Sequence, residues 1–323
     1  MNWFLALLIV ASHVLVTCTS EAADRARPVQ IGVLTPAWGP PPQVVGLRDG
    51  LRELGYREHE QFVIGVRFTQ GNLASLPAAA RELVKLDPDL IFAHRDDAAS
   101  AARLATTRIP IVFVGVNDPV GLGLVQSYAR PGGNITGVTD LELELGPKRL
   151  EVFHELVPGL KRVLFPYNAT DTYSAMGAKV YREAAHRLGI ELVERTVRTE
   201  KEARAILAQI RMGDVDGILR PPSPSLNIPG FILEASSRQA IPTMFNGAFW
   251  VELGALASYG PDEHETGRQA ARLVDKILKG TAPAEIPVEV NPKIEFAINL
   301  KVAKALSLRI PPEVLYRANR LIR

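Results

Sequence analysis

IPIVFVGVNDPVGLGLVQSYARPGGNITGVT, residues 109–139, is the stretch whose reading decides the fold. Residues 111–116 form a short apolar run rich in β-branched side chains. Such a run suits a parallel strand buried on both faces better than a half-exposed one. It opens onto Asn117, Asp118 and Pro119. Ligands of open α/β sheets bind beyond the carboxyl ends of the strands, so this Asn-Asp pair lies at a candidate binding edge. The turn Pro131-Gly132-Gly133-Asn134 then leads to a second apolar segment at 135–138, placed to carry the chain out of the first sheet.

Upstream, the pattern predicts strands at 29–34, 62–68 and 89–93, alternating with helices at 44–54, 76–86 and 98–107. Residues 28–138 thus read as a parallel sheet covered by helices. The rhythm restarts after Thr139, with helices at 147–156, 173–188, 201–211 and 231–239 and strands at 163–167, 190–195, 217–219, 241–245 and 255–259. Residues 139–260 read as a second lobe of the same build, without a residue-level repeat. The last section, 261–323, differs: an amphipathic helix at 263–278, a linker marked by Pro283 and Pro287, a strand at 294–298, and helices at 301–306 and 312–322. The expected class is α/β, with two similar Rossmann-like lobes on parallel sheets.

At the start, the apolar run 4–16 is shorter than the ~20 residues a membrane span needs and reads as the core of a secretory signal occupying residues 1–23. Cys18 is the sole cysteine, so no intramolecular disulfide forms. Leu15-Val16-Thr17-Cys18 is similar to a lipobox, which would lipidate Cys18; the alternative is ordinary cleavage after the small residues of Ser20-Glu21-Ala22. The remaining ~300 residues exceed one typical domain. With 47% hydrophobic and 22% charged residues and a formal net charge of +2, the chain lacks the basic footprint of a nucleic-acid binder.

Candidate site residues stand at the predicted strand ends. Thr35 and Trp38 lie in a proline-rich loop before a helix whose N-terminus suits a carboxylate, with Trp38 as an aromatic wall; a stiff packed loop is the competing reading. His94-Arg95-Asp96-Asp97 has too few ligands for a metal, and Asp96 or Asp97 is expected to cap the next helix. Asp118 suits an ammonium group, or else an Asx turn. Asn168, Arg220 and Asn246 end strands of the second lobe, Arg220 being suited to an anionic group. No nucleophile elbow, phosphate loop, histidine pair or complete dinucleotide fingerprint is present, so no catalytic residue, metal or cofactor is expected.

The opening stretch, with ELGPKRLEVFHELVPGLKRV (144–163) and INLKVAKALSLRIPPEVLYRAN (298–319), resembles the ABC-transporter substrate-binding proteins of the tryptophan/tyrosine type. The resemblance runs from about Val29 to the C-terminus. It implies a type I periplasmic-binding-protein fold with a multi-strand hinge, residues 261–323 crossing between the lobes. The implied role is an extracytoplasmic receptor that closes on a small molecule and delivers it to ABC permease and ATPase subunits, touching the membrane only through a lipid on Cys18. The implied cargo is an aromatic amino acid, with its carboxylate near Thr35, its ammonium near Asp118 and its side chain against Trp38. Where His94-Arg95-Asp96-Asp97 stands, the family usually has small hydroxyl and glycine residues, and prolines flank the position of Asn168. A two-domain enzyme using the same cleft and a ligand sensor for a membrane kinase are the alternative readings.

Overall fold

The computed structural model describes residues 27–222 and 228–323. The expected signal segment with Cys18 lies outside them. Strands β1 (Val29–Thr35), β2 (Phe62–Phe68), β3 (Leu90–His94), β4 (Ile111–Val116) and β5 (Ile135–Thr139) are joined by the two-residue β11 (Glu289–Val290) in one sheet of order β11-β5-β4-β3-β1-β2. Every pairing in it is parallel. As the apolar sequence of β4 requires, all six of its residues are buried. Helices α1 (Pro42–Glu53), α2 (Leu76–Lys85) and α3 (Asp96–Ala105) cover the sheet.

The second sheet has the order β13-β12-β10-β9-β8-β6-β7. Its parallel body is β6 (Arg162–Asn168), β7 (Glu191–Val197), β8 (Gly217–Leu219), β9 (Thr243–Phe245) and β10 (Ala257–Pro261). Next to β10, β12 (Ile294–Asn299) runs antiparallel and pairs in parallel with β13 (Arg320–Ile322). Around this sheet stand α4 (Gly146–Leu156), α5 (Thr172–Leu188), α6 (Glu200–Gln209), α7 (Ile228–Gln239) and the short α8 (Ala248–Glu252). Two parallel-dominated α/β sheets are what the sequence rhythm predicts.

The last section serves both sheets. Helix α9 (Glu263–Leu278) packs on α1, β11 joins the first sheet, and β12 and β13 extend the second, with α10 (Leu300–Ala305) and α11 (Pro312–Arg317) between them. Helices α1 and α9 meet through glycines: a Cβ on Gly46 would stand 1.9 Å from the His264 carbonyl oxygen, and one on Gly267 2.0 Å from that of Gln43. Backbone on backbone leaves nothing to yield, so Gly46→Ala is expected to cost about 1–3 kcal/mol despite alanine's better helix propensity. Gly65→Ala, with open space around it, is expected to stay within about 0.5 kcal/mol of the parent. Urea midpoints of the two variants check the contrast, and equal midpoints would refute it.

Three expectations need correction. The linker at Pro283 and Pro287 contains β11, because residues 289–290 pair with the end of β5. The helix expected at 312–322 stops at Arg317: Asn319 exchanges backbone and side-chain hydrogen bonds with Phe296 of β12, pulling the chain out of helix and into β13. Helix α3 starts two residues early at Asp96, so neither Asp96 nor Asp97 is its cap; Arg95 holds that position without a capping side chain.

Candidate functional site

Strand ends from both sheets meet where the chain crosses between them. The crossing leaves β5 at Thr139 and carries Asp140, Leu141 and Glu142. Glu142 forms a buried ion pair with Arg149 of α4, its Oε1 and Oε2 each accepting at 2.9 Å from Nη1 and Nη2. Arg149, fully buried, also donates to the Tyr181 hydroxyl at 2.6 Å and to the Tyr259 carbonyl. Asn246, at the end of β9, donates to Glu142 Oε2 at 3.3 Å, while its Oδ1 is buried without a partner among the described residues. The crossing is thereby bolted to α4, α5, β9 and β10.

On the first-sheet side, Thr35 ends β1, its Oγ1 lying 2.9 Å from His94 Nδ1 and accepting from the Ala37 N–H at 3.1 Å. Burial, reinforced by Arg95, pushes the His94 imidazole down to about 3, so it is neutral at physiological pH. Arg95 adopts φ +79° and ψ 167°, a region occupied almost only by glycine that costs another residue about 1–3 kcal/mol. Its Nη2 nevertheless reaches across to the Pro222 carbonyl at 3.1 Å. Asp96 Oδ1 accepts the Asn117 N–H at 3.2 Å, and the Asn117 Oδ1 is buried without a partner among the described residues.

Asp140 occupies the middle of this arrangement. Its Oδ1 accepts only a long bond, 3.4 Å, from the Glu142 N–H, and burial together with the Glu142 carboxylate pushes its carboxyl up to about 8. From the second sheet, Arg220 is buried, its Nη1 donating to the Pro222 carbonyl at 3.1 Å and its Nε left without a partner among the described residues. Burial holds its guanidinium down at about 10. Tyr173, in the first turn of α5, buries its hydroxyl without a partner among the described residues, and burial with the nearby Glu142 and Asp140 raises it well above the usual phenol range. Glu263, the first residue of α9, is raised by burial as well.

Of the residues singled out from sequence, Thr35, Asp96, Asn117, Arg220 and Asn246 enter this polar cluster. Trp38 does not, being 58% exposed. Asp118 is exposed too, and its Oδ1 accepts the Gly121 N–H at 2.8 Å in an Asx turn. Asn168 folds its Oδ1 onto the backbone and hydroxyl of Thr170, and Asp171 caps α5 through the Ser174 N–H. Sequence reading missed Arg95, Asp140, Glu142, Arg149, Tyr173 and Glu263. One signal was available: two acids immediately after an apolar segment that leaves the sheet. Among the described residues no group of three or more His, Cys, Asp or Glu could hold a metal ion.

The family described as ABC transporter substrate binding protein matches residues 35–322. A tyrosine-binding protein of Clostridioides difficile (strain R20291) is 29% identical over 267 residues, 82% of this chain and 76% of its own. The structure of an ABC domain in complex with L-Trp from Streptococcus pneumonia is 26% identical, with a TM-score of 0.78 over 91% of this chain and 100% of that one. A ligand-free, open substrate-binding protein from Clostridium difficile is 25% identical, with a TM-score of 0.65 over 91% of this chain and 99% of that one.

Proposed function

The chain belongs to the family of ABC transporter substrate-binding proteins, and from that premise we propose that it captures an amino-acid zwitterion between its two sheets, the ligand's ammonium group held by Asp140. Members of this family work outside the cytoplasm with permease partners, and among the described residues no helix is long and apolar enough to cross a membrane. Residues 28–138 and 139–260 act as the two closing lobes, residues 261–323 shared between them. The loaded form docks on permease and ATPase subunits and releases its cargo unchanged.

The observation that carries the reading is Asp140, a recessed carboxyl at the crossing with one long hydrogen bond and no cation paired to it among the described residues. A buried charge left unpaired is costly, so such a group is stable as a carboxylate only when a cation arrives. Asp118, already satisfied within its own turn, offers no comparable need. The tyrosine-binding relative and the L-Trp complex support an aromatic side chain, and Tyr173, near Asp140, supplies a ring and a buried hydroxyl with no partner among the described residues. The higher similarity to the L-Trp complex than to the open relative, with Arg95 bonded across to Pro222, supports a drawn-together arrangement of the lobes.

A thermal-shift panel of aromatic, aliphatic and acidic amino acids, sugars, polyamines and organic acids tests the class. A ligand at ~100 times its Kd is expected to stabilise the protein by about 2.7 kcal/mol. A panel in which sugars or organic acids shift the midpoint and no amino acid does would sink the zwitterion reading. Conversion of any bound compound to product would make the chain an enzyme instead of a receptor.

A further inference from the structure

We infer that Arg95 from the first sheet and Arg220 from the second form a two-arginine clamp that takes the ligand's carboxylate across the cleft and latches the lobes on it. This rests on the cleft being the ligand site. Both guanidiniums converge on one acceptor, the Pro222 carbonyl oxygen, Arg95 through Nη2 and Arg220 through Nη1, each at 3.1 Å. Two like charges sharing one neutral oxygen is a poor resting arrangement. A carboxylate, with two oxygens and about four lone-pair sites, answers both forks at once.

Neither arginine has a carboxylate of the protein as its partner among the described residues, although Arg149 close by is fully paired with Glu142. Arg220 is only 3% exposed, and its Nε has no hydrogen-bond partner among the described residues. Arg95 is held in a backbone conformation that suits glycine. An arginine kept in such a place points to a role for its side chain rather than for its backbone. In this drawn-together arrangement the Pro222 carbonyl oxygen occupies the place between the two guanidiniums that the ligand's carboxylate would take. Because the two arginines come from different sheets, the carboxylate that replaces it ties one lobe to the other. An amine without a carboxylate would occupy the Asp140 end and leave the latch unengaged.

Matched triads of ligands separate the two ends: tyrosine, tyramine and 3-(4-hydroxyphenyl)propionate, and the corresponding tryptophan set. Calorimetry and small-angle scattering are run on the parent protein and on Arg95→Gly, Arg220→Gln and Arg220→Lys. Arg95→Gly suits the backbone it replaces, and Arg220→Lys keeps the charge but loses the fork, so loss of fold does not decide the result. The two carboxylate-bearing members are expected to weaken about tenfold or more in Arg95→Gly and Arg220→Gln, while the amine is unchanged in Arg220→Gln, Arg220 not being among the charges that act on Asp140. Carboxylate-bearing members are also expected to compact the parent but not the Arg95→Gly protein. Equal weakening of acid and amine, or full retention of the acid, overturns the clamp. Should no member of either triad bind the parent, the zwitterion reading fails by itself. The clamp is then judged on inorganic phosphate and glutarate: protection against urea in the parent but not in Arg95→Gly sustains it, and equal protection overturns it.

Discussion

Replacing Arg149 by methionine is expected to destabilise the protein by about 3–5 kcal/mol, because it strands a buried carboxylate. Glu142 is buried, both of its oxygens face Arg149, and its remaining partner is the amide of Asn246 at 3.3 Å. The same change removes the donor to the Tyr181 hydroxyl and to the Tyr259 carbonyl. Each buried acceptor left unmet adds its own desolvation cost. The double change Glu142→Gln with Arg149→Met removes the stranded charge and should recover part of the loss. Urea unfolding of the parent, the single and the double variants checks this. A single variant within about 1 kcal/mol of the parent, or a double variant no better than the single, would show that the pair does not hold the crossing in place. Glu142 lies on the segment that follows β5 and Arg149 on α4, so the pair fixes where the chain enters the second sheet's helices.

The layered α/β architecture was legible because it depends on patterns that repeat locally. The β-branched run of β4, the apolar strand starts at Val29 and Phe62, and the Gly189 stop of α5, which adopts φ +66°, need no knowledge of distant residues. The tail was misread for the opposite reason. Residues 318–322 have no strong breaker, and it is pairing with β12, begun by the bonds between Asn319 and Phe296, 23 residues apart, that makes a strand of them. The same distinction divides the candidate site. Thr35, Asn117 and Arg220 could be named because they end strands in an ordinary pattern. Arg149 could not, since a lone arginine on an amphipathic helix is usually solvated, and its burial depends on Glu142, Tyr181 and Tyr259 arriving from elsewhere. Asp118 drew attention as a carboxylate after a strand, yet its need for a partner is met three residues on by Gly121. Arg95 was hidden because its backbone conformation is not written in its residue type.

The ligand-free protein is expected to lose stability as pH rises toward 8, and the Asp140→Asn variant to lose that dependence. A carboxyl raised from 3.8 to about 8 on folding favours the protonated folded state. Its contribution is therefore complete below the unfolded value and disappears as pH rises through the folded one. Groups that face it and set this value are Glu142, Asp96 and Glu263, which hold the proton on, and Arg95, which opposes them. Ligand binding reverses the balance, because an ammonium group needs the carboxylate. Below pH 8 capture of a zwitterion should release a proton, and affinity should rise by up to about tenfold per pH unit until it levels off. Asparagine preserves the shape and mimics the protonated form, so the variant is expected to fold at least as well as the parent at pH 8 while binding more weakly by roughly 2–5 kcal/mol. Calorimetry at pH 7 in two buffers of different ionisation enthalpy reads the proton directly. Binding without proton release, joined to an Asp140→Asn variant of parental affinity, would move the ammonium site away from the crossing and leave Asp140 as a carboxyl neutralised by burial alone.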